Sequence, residues 1–258
     1  TSEENFLAWG WRIPFLISFV LVIISMYIQL RLEDTKAFKE LEAAKSSQDN
    51  TKQEIKSSPI LEALRRYPRR ISLAAGAFLS IQVTFYILVA FILAYGVATT
   101  DLSRNDLLAA VLIGSAIMVP LQFYFSHYSD NNGRKGIFMA GALMTALWSF
   151  FLFPLIDTGN FYLVILAVTG GLAFLGMMYG PQAAFFAELF STEVRYSGAS
   201  LGYQIGAILG GSFAPTIATL LWTSYDIFWV SVYIALASAA SLLSVYFLTE
   251  TYKTDLNK

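Results

Sequence analysis

Seven stretches of the chain contain no Asp, Glu, Lys or Arg: Ile13–Leu30, Ile71–Thr100, Leu107–Ser129, Gly136–Ile156, Thr158–Ala187, Tyr196–Tyr225 and Ile227–Thr249. Crossing roughly 30 Å of hydrocarbon takes about 20 apolar residues in a helix, so each block is long enough for one span. Only helices satisfy every backbone hydrogen bond within such a segment. The pattern therefore predicts an all-α membrane protein with seven transmembrane helices. A buried helix of a soluble domain is the bland alternative, and seven consecutive charge-free blocks argue against it. The first block is also too long for the apolar core of a secretory signal, is preceded by Glu3 and Glu4, and lacks a small-residue cleavage pattern.

Composition agrees with the pattern. Of 258 residues, 56% are hydrophobic and 14% charged, against about 25% charged in soluble domains. There is no cysteine and one histidine, His127, which removes disulfides, thiolate nucleophiles and thiolate or His-rich metal sites. A net charge of −1 gives no footprint for nucleic acid. His127 itself reads as an interfacial residue.

Charge between the blocks sets the orientation, because Lys and Arg accumulate on the cytoplasmic side. Alternating sides from the segment 31–70 places fifteen of the 17 basic residues on one side and leaves only Arg12 and Arg104 on the other. The 31–70 linker, the loop "SDNNGRKG" (129–136) and the C-terminus are thus expected to be cytoplasmic. Trp9, Trp11, Trp222, Tyr225 and Trp229 mark the opposite interface. Within the linker, "ILEALRRYPRR" reads either as a short basic amphipathic helix on the inner leaflet or as solvated chain. The chain begins with Thr, and its first span follows almost at once, which suggests a fragment.

Two polar clusters interrupt the apolar pattern. In "SDNNGRKG", Asp130 and Arg134 stand four residues apart, with Gly133 permitting a tight turn. Arg134 can serve the carbonyls of a helix end, and Asp130 can pair with it or sit at the positive end of a neighbouring helix. In "AELFSTEVRYSG", Glu188 and Arg195 bracket the next cytoplasmic turn. A carboxylate at a membrane edge is costly unless paired, and Arg134 and Arg195 are its candidate partners. "LRLEDTKAF" and "YFLTETYKT" each place an acid and Thr after a span (Asp34–Thr35, Glu250–Thr251), a weak internal repeat of the kind expected of transporters built from two halves.

D-x-x-G-R-K in "SDNNGRK" and E-x6-R in "ELFSTEVR" resemble signatures of the major facilitator superfamily of secondary transporters, after its eighth and tenth helices. "EDTKAF" and "TETYKT" are similar to the endings of its sixth and twelfth. "GWRIPFL" and "RYSGASLGYQIGAILGG" resemble its metabolite–proton symporter branch, which carries shikimate, 2-oxoglutarate, citrate, proline and betaine. The loop signature departs from the family pattern, with Ser126 in place of its opening Gly and Asn131–Asn132 where a base is common.

The resemblance implies that the spans are helices 6–12 of a twelve-helix fold. Residues 1–32 are then the last helix of the N-terminal half, 33–70 the central cytoplasmic linker, and 71–258 the C-terminal six-helix half. It implies rocker-switch transport of a small organic acid or zwitterion with protons, no cofactor or metal, and an inner-membrane location. The partners would be the substrate, protons, the bilayer and the missing N-terminal half. Asp130, Gly133, Arg134, Glu188 and Arg195 would form a gating network. Gly198, Gly202, Gly206 and Gly210, spaced every fourth residue, form a small-residue stripe for helix packing. Gly170–Gly171 and Gly176–Gly180 are expected points of flexibility. Polar side chains inside spans, namely Gln82, Tyr86, Tyr179, Gln182, Tyr203 and Gln204, are substrate-contact candidates, with interhelical hydrogen bonding as their other reading. No block contains a carboxylate or a base, so either a proton-coupling group lies in the missing half, as the resemblance implies, or the chain does not couple. A membrane enzyme would need a nucleophile–base pair or metal ligands that cannot be assembled here, and a channel would need a filter loop. The remaining competitor is a truncated, inactive half-transporter.

Overall fold

The computed structural model describes residues 3–31 and 59–252. The chain divides into two compact units, Thr1–Glu54 and Ile55–Lys258. Among the described residues all regular structure is helical. Seven helices there are long and apolar enough to cross a membrane. Asp34–Thr35, most of the expected linker, and Lys253 and Lys258 of the tail lie outside the described residues.

The first unit holds α1 (Glu3–Ala8), one 3-10 turn (Gly10–Arg12) and α2 (Ile13–Arg31). α2 is apolar all round and buries no side chain within its own unit. Such a helix suits lipid or another apolar helix. The Arg12 guanidinium lies 4.9 Å from the Trp11 ring centre, a stacked pair fitted to a headgroup boundary.

The second unit comprises α3 (Pro59–Arg66), α4 (Pro68–Thr99), α5 (Arg104–Asn132), α6 (Arg134–Asp157), α7 (Phe161–Glu188), α8 (Arg195–Ser224) and α9 (Ile227–Phe247). The observed helices extend beyond the charge-free blocks because charged residues occupy their ends. Ser103 and Asp106 form a reciprocal capping box that opens α5, and Asn160 and Asp226 cap α7 and α9. Both α4 and α8 widen into π-helical turns, at Ile87–Phe91 and Ile208–Ser212. Of the two readings of "ILEALRRYPRR", a helix forms at its start, and Ala63 is fully buried where α3 packs on α8 and α4.

α4 packs against α8 and α9, and α7 against α5 and α6. Lipid is as apolar as the helix faces, so close contact and interhelical hydrogen bonds hold such a bundle. A Cβ on Gly202, Gly206 or Gly210 would collide with Ala74, Ala75–Phe78 or Leu79–Gln82 of α4. Gly198 instead lies under the Phe190 ring. On α9, the Ser238 hydroxyl meets that of Ser80 at 2.8 Å, and Ser241 donates to the Gly76 carbonyl at 2.9 Å. Ser149 and Ser231 each donate to the other's carbonyl, at 3.1 and 2.8 Å.

The glycines of α7 face neighbouring helices at close range. α7 runs unbroken from Phe161 to Glu188, and Gly170, Gly171 and Gly180 are filled by Trp148, Leu88 and the α5 backbone at Gln122. They allow close approach of the neighbouring helices. At the end of the bundle away from Gly133, the Tyr95 hydroxyl donates to Asp157 at 2.5 Å, amid Phe91, Phe153 and Trp222.

Candidate functional site

Gly133 separates α5 from α6 with φ +99°, a conformation that L side chains rarely adopt. Its N–H closes α5 on the Ser129 carbonyl. The turn places Arg134 at the start of α6, its side chain only 10% exposed. A buried guanidinium requires partners for its donors. Nε donates to Glu188 Oε2 at 2.7 Å and Nη2 to Oε1 at 2.8 Å, a bidentate pair with the end of α7. Nη1 donates to Asp130 Oδ1 at 2.9 Å and reaches Ser129 Oγ at 3.4 Å. Asp130 thus takes the ion-pair alternative, and Arg134 serves two carboxylates instead of helix carbonyls. Glu188 is 20% exposed and Asp130 is 53% exposed, so the Glu188 pair is the better shielded.

α6 has no side-chain cap of its own, because its N-cap residue is Gly133. Glu250, from the segment after α9, fills that position: its carboxylate accepts from the backbone N–H groups of Arg134 and Lys135, both at 3.1 Å. It also accepts from the N–H groups of Thr251 at 3.0 Å and Tyr252 at 3.2 Å. Burial pushes the Glu250 carboxyl up, but the backbone donors of Arg134, Tyr252, Lys135 and Thr251 outweigh it and hold the group below its ordinary value. Thr251 donates to Glu188 Oε2 at 2.6 Å, and Lys135 donates to the carbonyls of Tyr246 and Leu248 at 2.7 and 2.9 Å.

Glu250, Thr251, Lys135 and Ser129 were not among the gating candidates. The acid–Thr pair was visible in "TETYKT", but its role depends on contacts 63 to 116 positions apart in sequence. Arg195 is the opposite case. It donates to Thr192 Oγ1 at 3.3 Å, its Nε is buried without a hydrogen-bond partner, and Glu188 is already occupied by Arg134 and Thr251. The E-x6-R spacing therefore does not place Arg195 on Glu188.

The same loop is tied to α3 and the start of α4. Arg70 donates to the Leu189 carbonyl at 2.6 Å, supplying a cation at the C-terminal end of α7. Arg66 meets Glu193 at 3.3 Å, and the Tyr67 hydroxyl donates to Ser191 at 3.3 Å.

Along α7 and α8, away from the charges, lies a cavity of about 360 Å³. It gathers Tyr179, Gln182, Tyr203 and Gln204, with Ser200, Phe186, Ala183 and Ala199. Gln82 and Tyr86 do not line it. They press on the α8 backbone at Gly210 and Gly211, inside the π-helical turn. His127 is exposed, with its carbonyl bonded to the Asn131 side chain. Among the described residues, no cluster of His, Asp and Glu could hold a metal ion.

A family model described as Major Facilitator Superfamily matches residues 5–201. The inner membrane metabolite transport protein YhjE of Escherichia coli (strain K12) is 33% identical over 263 residues, covering 99% of this chain and 57% of that protein. The shikimate transporter of the same organism is 33% identical, covering 92% and 53%. The glycine betaine/proline/ectoine/pipecolic acid transporter OusA of Dickeya dadantii (strain 3937) is 26% identical, covering 99% and 51%. The chain spans about half the length of the curated relatives it matches.

Proposed function

The chain belongs to the major facilitator superfamily, and from that premise we propose that it forms the C-terminal part of a secondary active transporter of the inner membrane. The carrier moves a small organic acid or zwitterion together with protons, by rocking two halves about a central site. Gly10–Arg31 serves as the sixth helix and α4 to α9 as helices seven to twelve. The end bearing Gly133, the 31–70 linker and the C-terminus face the cytoplasm, as the distribution of Lys and Arg supports.

The observation that carries this reading is the Arg134 cluster. It joins the α5–α6 turn, the end of α7 and the segment after α9 through ion pairs and carboxylate–amide bonds. Charged contacts between helix ends can be made in one conformation and broken in another, which is what a latch between two rigid arrangements requires. The cluster acts as the cytoplasmic latch of the outward-open state, with Asp130, Arg134 and Glu188 as its ionic members. Arg195 belongs to the same turn but works through Thr192.

The test is proton-dependent uptake of labelled shikimate, 2-oxoglutarate, citrate, proline and glycine betaine by cells expressing the native carrier. Uptake of one of them that collapses with the proton gradient is expected. Asp130→Asn and Glu188→Gln are expected to lower uptake while the protein still inserts at wild-type levels. Unchanged uptake in both variants would remove the latch from the mechanism.

A further inference from the structure

Resting on the transport reading, we infer that the cavity along α7 and α8 recognises an uncharged, hydroxyl-rich face of the carried molecule, with Gln182 as the residue that sets specificity. Gln182 is 5% exposed and lines the cavity. None of the hydrogen bonds among the described residues involves its carboxamide. Buried polar groups are ordinarily paired, and one that is not requires an account. The sealed, unpartnered side-chain polar atoms of this bundle belong to Thr84, Thr145, Thr169 and Arg195. Gln182 is not one of them, so its free amide is served by what enters the cavity.

The chemistry around it selects the guest. The polar groups are the phenols of Tyr179 and Tyr203, the carboxamides of Gln182 and Gln204, and the Ser200 hydroxyl. All are neutral; the hydroxyls can donate and accept, the carboxamide oxygens accept and the amide nitrogens donate. A hydroxyl group, itself both donor and acceptor, matches that set. A carboxylate would be met by Arg or Lys, and neither lines the cavity. A quaternary ammonium group needs open aromatic faces. Phe78 packs against the Tyr203 ring at 4.2 Å between centroids and covers one of its faces. The charge of an organic acid is therefore read elsewhere in the carrier, and this half reads its hydroxyls.

The position of Gln182 ties recognition to the latch. At 1.5 Å per residue it lies about 9 Å along α7 from Glu188. Tyr203 stands about 12 Å along α8 from Arg195. A guest bridging the two side chains draws together the helices whose charged ends flank the α7–α8 turn.

The experiment measures uptake and competition in cells carrying the native protein, using the hydroxylated ring acid of the panel above, its ring analogue without hydroxyls, and the quaternary ammonium zwitterion. The hydroxylated acid is expected to compete about tenfold better than the bare ring. In Gln182→Leu its KM is expected to rise about tenfold with kcat within twofold, the signature of lost uniform binding. Equal competition by the bare ring, preference for the quaternary ammonium compound, or an unchanged KM in Gln182→Leu would overturn the inference and leave the transport reading standing. If no panel member is carried, the transport reading fails, and the melting temperature of the purified protein decides the inference. A rise with the hydroxylated acid in the wild type but not in Gln182→Leu upholds it, and no rise in either sinks it.

Discussion

Replacing Arg134 by Lys keeps the charge and removes the fork. Arg134 makes two contacts with Glu188, at 2.7 and 2.8 Å, and one with Asp130 at 2.9 Å. An ammonium group is a compact point charge that cannot reproduce this planar arrangement. Aimed at Glu188, it gives up the second Glu188 bond and the bridge to Asp130. A hydrogen bond to a charged group contributes about 1.5–3 kcal/mol. The Glu188 bond is shielded and falls within that range, whereas the half-exposed Asp130 contact is worth about 0.5 kcal/mol after solvent screening. The loss is about 2 kcal/mol, or about 30-fold in the equilibrium between latched and unlatched forms. The chain has no cysteine, so Gln204→Cys gives a thiol in the cavity wall without background from the chain itself. In inverted vesicles, labelling of that thiol by an impermeant maleimide is expected to accelerate by about 10- to 30-fold when Arg134→Lys is added. Uptake falls in the same background. Labelling within twofold of the parent together with normal uptake would refute the latch, because a contact absent from the conformational equilibrium cannot shift it.

Two further predictions concern stability. Glu250→Gln removes a charged cap from α6 and is expected to cost about 1 kcal/mol near pH 7, the modest end for a cap because the residue is partly exposed. The folded Glu250 carboxyl titrates below its ordinary value of 4.5, so its contribution is present above that value and is lost as pH falls through the folded pKa. The melting gap between wild type and Glu250→Gln, followed by tryptophan fluorescence, should stay constant from about pH 8 to 5 and close below about pH 4. Gly206→Ala places a Cβ 2.7 Å from both the Ala75 carbonyl oxygen and Phe78 Cβ, and should destabilise by about 1–3 kcal/mol. Gly136→Ala, in a helix with nothing within 4 Å of the added methyl, should be neutral or stabilising by up to about 1 kcal/mol in the same melting assay.

The spans were legible because hydrocarbon imposes one rule on every residue within it, and the absence of Asp, Glu, Lys and Arg can be read locally. The helix ends were less legible, since Arg104, Asp157 and Glu188 belong to helices that a charge-based reading cuts short. Asp130–Arg134 was readable as a pair at a spacing of four. For Glu188 the sequence left Arg134 and Arg195 as alternative partners, and the guanidinium that reaches it is that of Arg134, from another helix. Gly133 was read correctly as a turn, but the acid that caps α6 lies beyond α9, and no local pattern points from one to the other. In the cavity, sequence spacing paired Tyr179 with Gln182 on one face of α7. It could not distinguish these from Gln82 and Tyr86, whose side chains press against the glycine backbone of a neighbouring π-helical turn. Nor could it see the π-helical turns themselves, because the extra residue shifts a periodicity that spans as uniformly apolar as these hardly display.

The placement of Glu250 has a consequence for biogenesis. Ribosomes deliver the chain from its N-terminus, so α6 and α7 enter the bilayer well before residues 250 and 251 exist. Until those residues arrive, the first amides of α6 lack the carboxylate that they later share, and Glu188 lacks its hydroxyl donor. Closure of the cluster is therefore a late event that reports that α9 has inserted and turned back. A prematurely terminated chain that lacks residues 250 and 251 leaves the first amides of α6 and one oxygen of Glu188 without these partners.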